Sequence, residues 1–281
     1  MASAKGIKHR IANIANSKKI MEAMDMISAA KLQKARARLS GIRPLYRETR
    51  QVIDTLTRHE GLAEHPLVCR RPVRRTAYVI ITADRGLCGS YNQEVASAAL
   101  SHMEDGRDER IIVLGSWGYD YFRSRRKHIL RHVNGIAETL VYQLSERISE
   151  LVLTLYQKGE FDEVYLAYTD FESTLTHRPR VEKLLPLTAD SPQAGAAWMG
   201  YQPDPGVFLE HLCPLYLHTG LFRAWSESLA CEHAARMMNV QAAAKNAADM
   251  VEDLQRLYHR KRKAAITQEL NEIIGGANML S

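Results

Sequence analysis

The sequence lacks the patterns by which most catalytic and cofactor sites are found. Its 281 residues contain no GxGxxG or GxxxxGK[ST] phosphate loop, no HExxH helix and no GxSxG turn. The four cysteines are too far apart to form a CxxC pair; they are Cys69, Cys88, Cys213 and Cys231. These absences argue against the common nucleotide, zinc and hydrolase sites, so we expect no metal, no cofactor and no catalytic constellation.

Long apolar runs are missing as well. The longest apolar stretch, Ala77 to Ala83, has the length of a strand, whereas a membrane helix needs about 18 apolar residues. The basic residues near the start, such as Lys5 and Lys8, are not followed by a sustained apolar segment, so we expect no secretory signal. Only 7% of the residues are aromatic, but 46% are hydrophobic, which is enough for a folded core.

Positive charge is concentrated at the amino end. The first 60 residues hold 13 Lys and Arg against 5 Asp and Glu, although the net charge of the whole chain is only +6. A second basic stretch lies at residues 256–263. Because few aromatic residues interleave with these charges, the pattern favours a solvated helix face or contact with an acidic protein over nucleic acid.

Both ends of the chain are predicted to be long helices. There is no glycine or proline between Gly6 and Gly41, and none between Gly220 and Gly275. Apolar residues recur at spacings of three and four, which is typical of a helix with one buried face. In the amino segment they are Ile7, Ile11, Ile14, Met21, Leu32, Ala35, Leu39, Ile42, Tyr46, Ile53 and Leu56. In the carboxyl segment they are Val240, Ala244, Ala247, Val251, Leu254 and Tyr258. We predict one helix over about 3–57 and another through the carboxyl end.

The amino helix shows an irregularity in its apolar pattern. Lys18, Asp25 and Ser28 interrupt the heptad, while Ile20, Met24 and Ile27 form a stripe one position away. We interpret this shift as the drift of a helix with 3.6 residues per turn against a 3.5-residue pattern.

The two helices are expected to pair as an antiparallel coiled coil, residues 1–58 with residues 206–281. The uninterrupted carboxyl segment alone would span roughly 80 Å as a helix, too long to be enclosed in a globule of 31.8 kDa. Its seam is rich in alanine and methionine near the tip, and such a seam buries little area. Periodicity leaves two interpretations open, a hairpin that is stable by itself and a tip that a partner surrounds.

The middle of the chain, residues 70–190, is predicted to be a Rossmann-like α/β domain with a mainly parallel sheet. Strands are predicted at 76–82, 110–114, 128–132 and 163–169, with an edge strand at 176–186, and helices at 91–104, up to 125 and at 139–157. The last of these helices is expected to bury Leu140, Leu144, Ile148, Leu151, Val152 and Leu155. Residues 188–206 are predicted to be a loop.

The segment DRGLCG follows the first predicted strand, where a phosphate loop would lie. Its spacing does not match one, so we interpret Asp84, Arg85, Gly86 and Gly89 as a structural turn, with the two glycines allowing it to be tight. Cys88 is interpreted as a small packed residue rather than a reactive thiol.

Four segments together resemble the gamma subunit of F-type ATP synthases. They are KIMEAMDMISAAKLQ at 19–33, DRGLCG at 84–89, YQPDP at 201–205, and a carboxyl set made of SLACEHAARM at 228–237, AAITQEL at 264–270 and IIGGA at 273–277. The resemblance covers nearly the whole chain in order. It departs from the family at Cys231, where serine is usual, and through much of the central domain, as in the alternative ATPase operons of some bacteria.

The resemblance implies a non-catalytic subunit that is the central rotor shaft of the complex. Its helices would stand inside a ring of alpha and beta subunits and couple ion flow through the membrane c-ring to ATP synthesis or hydrolysis on beta. The α/β domain would bind the epsilon subunit and the c-ring, so the chain would be peripheral to the cytoplasmic face of a bacterial inner membrane. Without the resemblance, the residues also allow a stand-alone coiled-coil adaptor or a nucleotide-binding protein.

Particular residues match family positions that contact partners. Met24, Arg262, Lys263, Thr267 and Glu269 match positions that meet the acidic catch region of beta, with Lys263 standing where glutamine is usual. Tyr201 and Gln202 match positions near the c-ring and epsilon, with Gln202 replacing a common glutamate.

Overall fold

The computed structural model describes residues 4–58, 60–103, 107–188 and 204–279. It divides into two compact units, a helical unit of residues 1–28 and 236–281 and a central unit of residues 29–235. Helix α1 (Ala4–Leu56) and helix α5 (Pro205–Met279) each contribute to both units. The long helices predicted at the two ends are confirmed, and α1 agrees with the predicted span to within one residue at each end.

The central unit is built on a five-stranded sheet in the order β3-β2-β1-β4-β5. Its strands are β1 (Arg75–Ile81), β2 (Asp108–Leu114), β3 (His128–Val133), β4 (Glu163–Phe171) and β5 (His177–Leu185). Strands β1 to β4 are parallel to one another, and β5 runs antiparallel to β4 at the edge. The predicted α/β class and the predicted edge strand are both confirmed.

Helices cover both faces of the sheet. Three helices connect the parallel strands, α2 (Tyr91–His102), α3 (Ser116–Ser124) and α4 (Val141–Gln157), and short 3-10 turns lie at Glu60–Leu62 and Glu138–Leu140. One core cluster joins alternate β1 residues such as Val79 with residues of α4 and the central-unit parts of α1 and α5. The other joins the intervening β1 residues such as Tyr78 and Ile80 with α2 and α3. The sheet is therefore buried on both sides, which explains its continuous apolar strands.

Helix α4 buries the predicted face except at Leu140. Its buried residues are Val141, Ser145, Ile148, Ser149, Val152 and Tyr156, whereas Leu140 is 45% exposed. Of the predicted residues, Ile148 and Val152 are buried and Leu144, Leu151 and Leu155 are half-buried, so the prediction was wrong only at Leu140. It also passed over Ser145 and Ser149, whose small side chains face inward and donate to backbone carbonyls one turn back. The helix itself begins only after the 3-10 turn, so Leu140 precedes its first turn.

The seam of α1 also differs from the interpretation based on drift. The half-buried and buried positions keep strict three-and-four spacing through Lys18, Asp25 and Ser28, while Ile20 is 63% and Ile27 is 56% exposed. Polar seam residues are tolerated because their groups are satisfied. Ser28 donates to the carbonyl of Met24 at 2.8 Å, and Asp25 accepts from Gln241 on α5 at 2.9 Å, all within the helical unit. Such polar pairs are known to fix the register of a coiled coil.

The seam of α5 follows the predicted positions. Val240 and Ala247 are buried, and Ala244, Val251, Leu254 and Tyr258 are half-buried. Beyond residue 260, every side chain that the structure describes is exposed. The end of α5 therefore has no seam within the described part of the chain.

Candidate functional site

The crevice where Rossmann-like proteins bind their ligands is filled by the chain's own helix α5. In this strand order the crevice lies at the carboxyl ends of β1 and β4, where the order of the strands reverses. Ser228 of α5 accepts a hydrogen bond from the Thr169 backbone of β4 at 3.2 Å and also bonds the Tyr91 hydroxyl at the start of α2. The Cys231 thiol points to the Thr169 carbonyl at 3.6 Å.

The groups in this crevice are held neutral. Burial raises the pKa of Tyr91, and the nearby Glu232 raises it further. Burial likewise raises the pKa of the Cys231 thiol. A closed crevice of neutral, hydrogen-bonded groups does not accept the phosphates of a nucleotide, which agrees with the absence of a phosphate loop. This geometry disfavours the nucleotide-binding alternative.

Asp84 joins the three loops at the carboxyl ends of β1, β2 and β3. One carboxylate oxygen accepts from the backbone and hydroxyl of Ser116, both at 2.9 Å. The other accepts from the backbone of Gly135 at 2.9 Å and of Ile136 at 3.4 Å. Hydrogen bonds to a charged acceptor are stronger than neutral ones. This exposed aspartate therefore holds together the three loops at the carboxyl ends of the strands and acts as a brace between them.

The turn after Asp84 takes its left-handed backbone at Leu87, with φ of 64°, and at Gly89, with φ of 60°. Gly86 lies outside that region, and an added Cβ there would meet nothing within 4 Å. The need for glycine therefore falls at Gly89 and not at Gly86. Cys88 is 2% exposed and accepts from the Asn92 amide at 3.3 Å, which supports the interpretation of a packed residue.

The loops at the carboxyl ends of β1 and β2 approach each other closely at Gly115. A Cβ on Gly115 would lie 2.2 Å from the Thr82 carbonyl oxygen, and the φ of Gly115 is 105°. The Thr82 hydroxyl also accepts from the Gly118 backbone at 3.1 Å. The loops after β1 and β2 thus touch backbone to backbone, and only glycine fits at Gly115.

A buried ionic cluster fastens α1 and α5 to the sheet within the central unit. Arg223 of α5 donates to Glu182 of β5 at 2.8 Å and to Glu227 one turn along α5 at 3.1 Å. Arg43 of α1 donates to the other oxygen of Glu227 at 3.0 Å. The Tyr46 hydroxyl of α1 donates to Glu182 at 2.7 Å. Two arginines, two carboxylates and one tyrosine therefore link both helices to strand β5 at the edge of the sheet.

The two carboxylates of this cluster respond differently to their surroundings. Burial opposes the ionisation of Glu182, but the charge of Arg223 and the Tyr46 hydroxyl outweigh it and lower the pKa of that carboxyl. Burial raises the pKa of Glu227 in spite of Arg223 and Arg43. Removing one partner from such a buried pair is costly, because it leaves a charge without compensation.

Glu138 makes a second attachment near the boundary of the central unit. Its carboxylate lies 2.9 Å from Lys31 Nζ and 3.9 Å from an Arg38 nitrogen, both on α1, and accepts from His233 Nε2 of α5 at 3.1 Å. The hydrogen bond from His233, aided by Lys31, lowers the pKa of Glu138 to about 2. A single carboxylate thus contacts both helices.

The residues predicted to meet beta lie in the helical unit. Met24 is half-buried on α1, whereas Arg262, Lys263 and Thr267 are exposed on α5. Thr267 donates to the Lys263 carbonyl at 2.9 Å, so these two share a helix face. Glu269 lies in the helical backbone, and its side chain is outside the described part. Tyr201 and Gln202 lie outside the described residues.

Sequence reasoning missed Glu138 and Arg223. Each is a single charged residue in helical or loop sequence, and the partners that tie it to other elements are separated from it by tens of residues. Within the described ranges, no cluster of acidic, histidine or cysteine side chains has the arrangement of a metal site. No described helix has the length and hydropathy needed to cross a membrane.

The fold defines a class of protein in which two terminal helices flank a Rossmann-like domain and the carboxyl-terminal one fills its ligand crevice. A family described as ATP synthase matches residues 3–280. The ATP synthase gamma chain of Alkaliphilus metalliredigens is 38% identical, with 98% of this chain and 97% of the relative covered. That of Desulfitobacterium hafniense is 37% identical over the full length of both chains. The sodium ion specific ATP synthase gamma chain of Acetobacterium woodii is 34% identical, with 98% of each covered.

Solved structures show the same fold at lower identity. The rotor of the Euglena gracilis mitochondrial ATP synthase contains a chain with a TM-score of 0.66 and 17% identity, covering 94% of this chain and 98% of that one. A chain in the central stalk and c-ring of the Tetrahymena thermophila mitochondrial ATP synthase has a TM-score of 0.61 and 22% identity, covering 80% and 99%. This chain belongs to the gamma subunit family of the F-type ATP synthases.

Proposed function

We propose that the chain works as the central rotor shaft of an F-type ATP synthase, coupling ion flow through a membrane c-ring to ATP synthesis or hydrolysis on beta subunits. In this proposal the chain catalyses nothing itself. It is held to the cytoplasmic face of a bacterial inner membrane through its partners, which are the alpha, beta and epsilon subunits and the c-ring. Membership of the gamma subunit family supports this role.

The observation that carries the proposal is the exposed apolar end of α5. Ile266, Leu270, Ile273 and Ile274 are between 45% and 68% exposed. An isolated helix with this much exposed apolar surface is not stable in water, because tertiary packing supplies most of the stability of a helix. An enclosing sleeve of alpha and beta subunits would bury these side chains and so favours the second interpretation of the tip.

The exposed apolar residues of α1 support the same arrangement. Ile20, Met26 and Ile27 are each more than half exposed although α5 covers the opposite face of this stretch of the helical unit. A coiled coil that functioned alone in water would place polar residues at these positions. A shaft that turns inside a close-fitting sleeve needs apolar side chains on its outer surface as well as in its seam.

The two attachments of the central unit suit the transfer of torque. The cluster around Arg223 holds α1 and α5 to the sheet by charged, largely buried contacts, and Glu138, in the 3-10 turn before α4, contacts both helices with partly exposed partners. Packed and hydrogen-bonded elements move as one body, since protein interiors are dense and resist deformation. Rotation of the α/β domain by a c-ring would therefore turn both helices.

We further propose that Met24, Arg262, Lys263, Thr267 and Glu269 meet the acidic catch region of beta, and that Tyr201 and Gln202 meet the c-ring and epsilon. The exposure of Arg262 and Lys263 leaves their charges available to acidic loops. Charged rims of this kind steer association and set specificity more than they add affinity.

Isolation of the complex tests the rotor role. The tagged chain is purified from its native membranes, and the subunits recovered with it are quantified by mass spectrometry. Recovery of alpha, beta and c subunits, with one copy of this chain for each three beta subunits, is the expected result. Recovery of the chain alone or with unrelated proteins would overturn the proposal.

A Met24→Lys substitution tests the contact with beta. The added charge would be attracted to the acidic catch region and disturb the coupling of rotation to catalysis, so the number of ions pumped per ATP hydrolysed should fall severalfold while assembly is retained. Leu175→Lys is the matched control, because Leu175 is 73% exposed in the turn between β4 and β5 and gains the same charge. Normal pumping by the Met24 variant would show that Met24 does not face the catch region.

A further inference from the structure

An open groove lies between α3 and β3 of the central unit, at the edge of the sheet opposite β5. Its volume is about 390 Å³, within the range of small-molecule sites. Its lining includes Tyr119, Arg123, Arg126, Lys127, Arg131 and His132. The groove is separate from the crevice that α5 fills and from both attachments of the helices.

The lining of the groove is cationic and carries no carboxylate. Lys127 is paired with Glu109 at 2.8 Å. Arg123 lies over the ring of Tyr119 at 5.7 Å. Arg126 and Arg131 are exposed, and within the described residues neither has a carboxylate within ion-pair distance. Arg123, Arg126 and Arg131 thus line one groove, and an anion that enters it would lower the repulsion between their charges.

Arg126 adopts a backbone conformation that is unfavourable for its side chain. Its φ is 55°, in the left-handed region that glycine and asparagine tolerate and that other residues rarely adopt. Strained residues of this kind cluster at ligand clamps and active sites. The strain places a third guanidinium at the tip of the α3–β3 turn, where asparagine or glycine would be easier to accommodate.

The floor of the groove is aromatic. The His132 ring stacks on Tyr119 with centroids 4.1 Å apart. His132 Nε2 is buried, and it has no hydrogen-bond partner in the part of the chain that the structure describes. The geometry of a phosphate group matches the planar fork of a guanidinium.

We propose that this groove binds a phosphate-bearing anion through Arg123, Arg126 and Arg131. The ligand is either a free phosphate compound or the headgroup of an anionic phospholipid, since both present the same oxygens. Binding uses side-chain cations and not a glycine-rich backbone loop, which is why no phosphate motif signals it in the sequence. The proposal goes beyond the rotor role and does not depend on it.

Binding is measured on the purified full-length chain with two probes. Calorimetry with pyrophosphate tests the free ligand, and flotation with vesicles of phosphatidylglycerol and phosphatidylcholine, against phosphatidylcholine alone, tests the headgroup. We expect saturable binding in at least one arm, weakened by salt. Arg131→Gln should reduce the affinity about tenfold, because one charge-assisted contact is lost.

Arg126→Asn separates binding from folding. Asparagine accepts the left-handed backbone, so the variant should melt at the same or a higher temperature while its affinity falls about tenfold. Arg178→Gln is the matched control, since Arg178 is an exposed arginine on β5 at the opposite edge of the same sheet. Pyrophosphate binding without vesicle binding identifies a free ligand, and the reverse identifies a lipid. Absence of saturable binding in both arms, or an equal loss in the Arg178 variant, would overturn the proposal.

Discussion

Removal of the Glu138 charge gives a direct test of how the helices are attached to the central unit. Glu138→Gln keeps the size of the side chain and one acceptor oxygen, but it removes the carboxylate charge that Lys31 and His233 contact. The variant therefore probes the charge with little change in packing. Glu150→Gln is the control, because Glu150 is an exposed residue of α4.

The size of the effect follows from the lowered pKa. A carboxyl whose pKa falls from 4.5 to about 2 on folding stabilises the folded state by about 3 kcal/mol when fully ionised. Lys31 is partly exposed, and solvent screening weakens such pairs, so we expect a loss of about 2 kcal/mol in the free energy of unfolding.

The effect should depend on pH with a definite sign. Because the folded pKa is the lower one, the stabilisation is fully present above about pH 5 and is lost as the pH falls toward 2. Urea unfolding is followed by tryptophan fluorescence, to which the buried Trp225 of the central unit contributes. The difference in the free energy of unfolding between the wild type and Glu138→Gln should become smaller as the pH falls from 7 to 3. An equal gap at both pH values, or no gap at pH 7, would refute the role assigned to this carboxylate.

The two other substitutions concern the edge of the sheet. Gly115→Ala would place a Cβ 2.2 Å from the Thr82 carbonyl oxygen and should cost more than about 4 kcal/mol in the free energy of unfolding or abolish folding. Gly41→Ala is the control, since this open position within α1 should be stabilised by about 0.5–1 kcal/mol. A Gly115 variant that melts at or above the temperature of the Gly41 variant would contradict the close approach. Asp84→Asn should lower the free energy of unfolding by about 2 kcal/mol, because one oxygen that accepts backbone N–H groups is replaced by a donor. Asp120→Asn, on the exposed face of α3, is the control and should change the unfolding midpoint little. Equal unfolding midpoints for the two variants would contradict the role assigned to Asp84.

Local pattern in the sequence was enough for the order and kind of the elements. The long helices could be predicted because glycine and proline are absent over tens of residues, and the buried strands because their apolar runs are short and continuous. The seam of α5 was predicted position by position, since a heptad of Val240, Ala247 and Leu254 needs no knowledge of the partner. The resemblance to the gamma subunit family rested likewise on contiguous segments.

Other features could not be predicted, because burial depends on what packs against a residue. The seam of α1 passes through Lys18, Asp25 and Ser28, and not through the more apolar Ile20 and Ile27, because α5 covers that face and Gln241 satisfies Asp25. Hydrophobicity alone points to the wrong stripe here. In α4, the serines that allow close packing were overlooked for the same reason.

The sequence by itself determined the elements, their order and the family, because these depend on spacing along the chain. Only the tertiary structure decided that α5 fills the ligand crevice through Ser228, that Glu138 contacts both helices, and that Arg223 joins them to the sheet. Each of these contacts joins residues far apart in the chain. Their chemistry is an ordinary hydroxyl, carboxylate or guanidinium until folding removes it from water and brings its partner within hydrogen-bond distance.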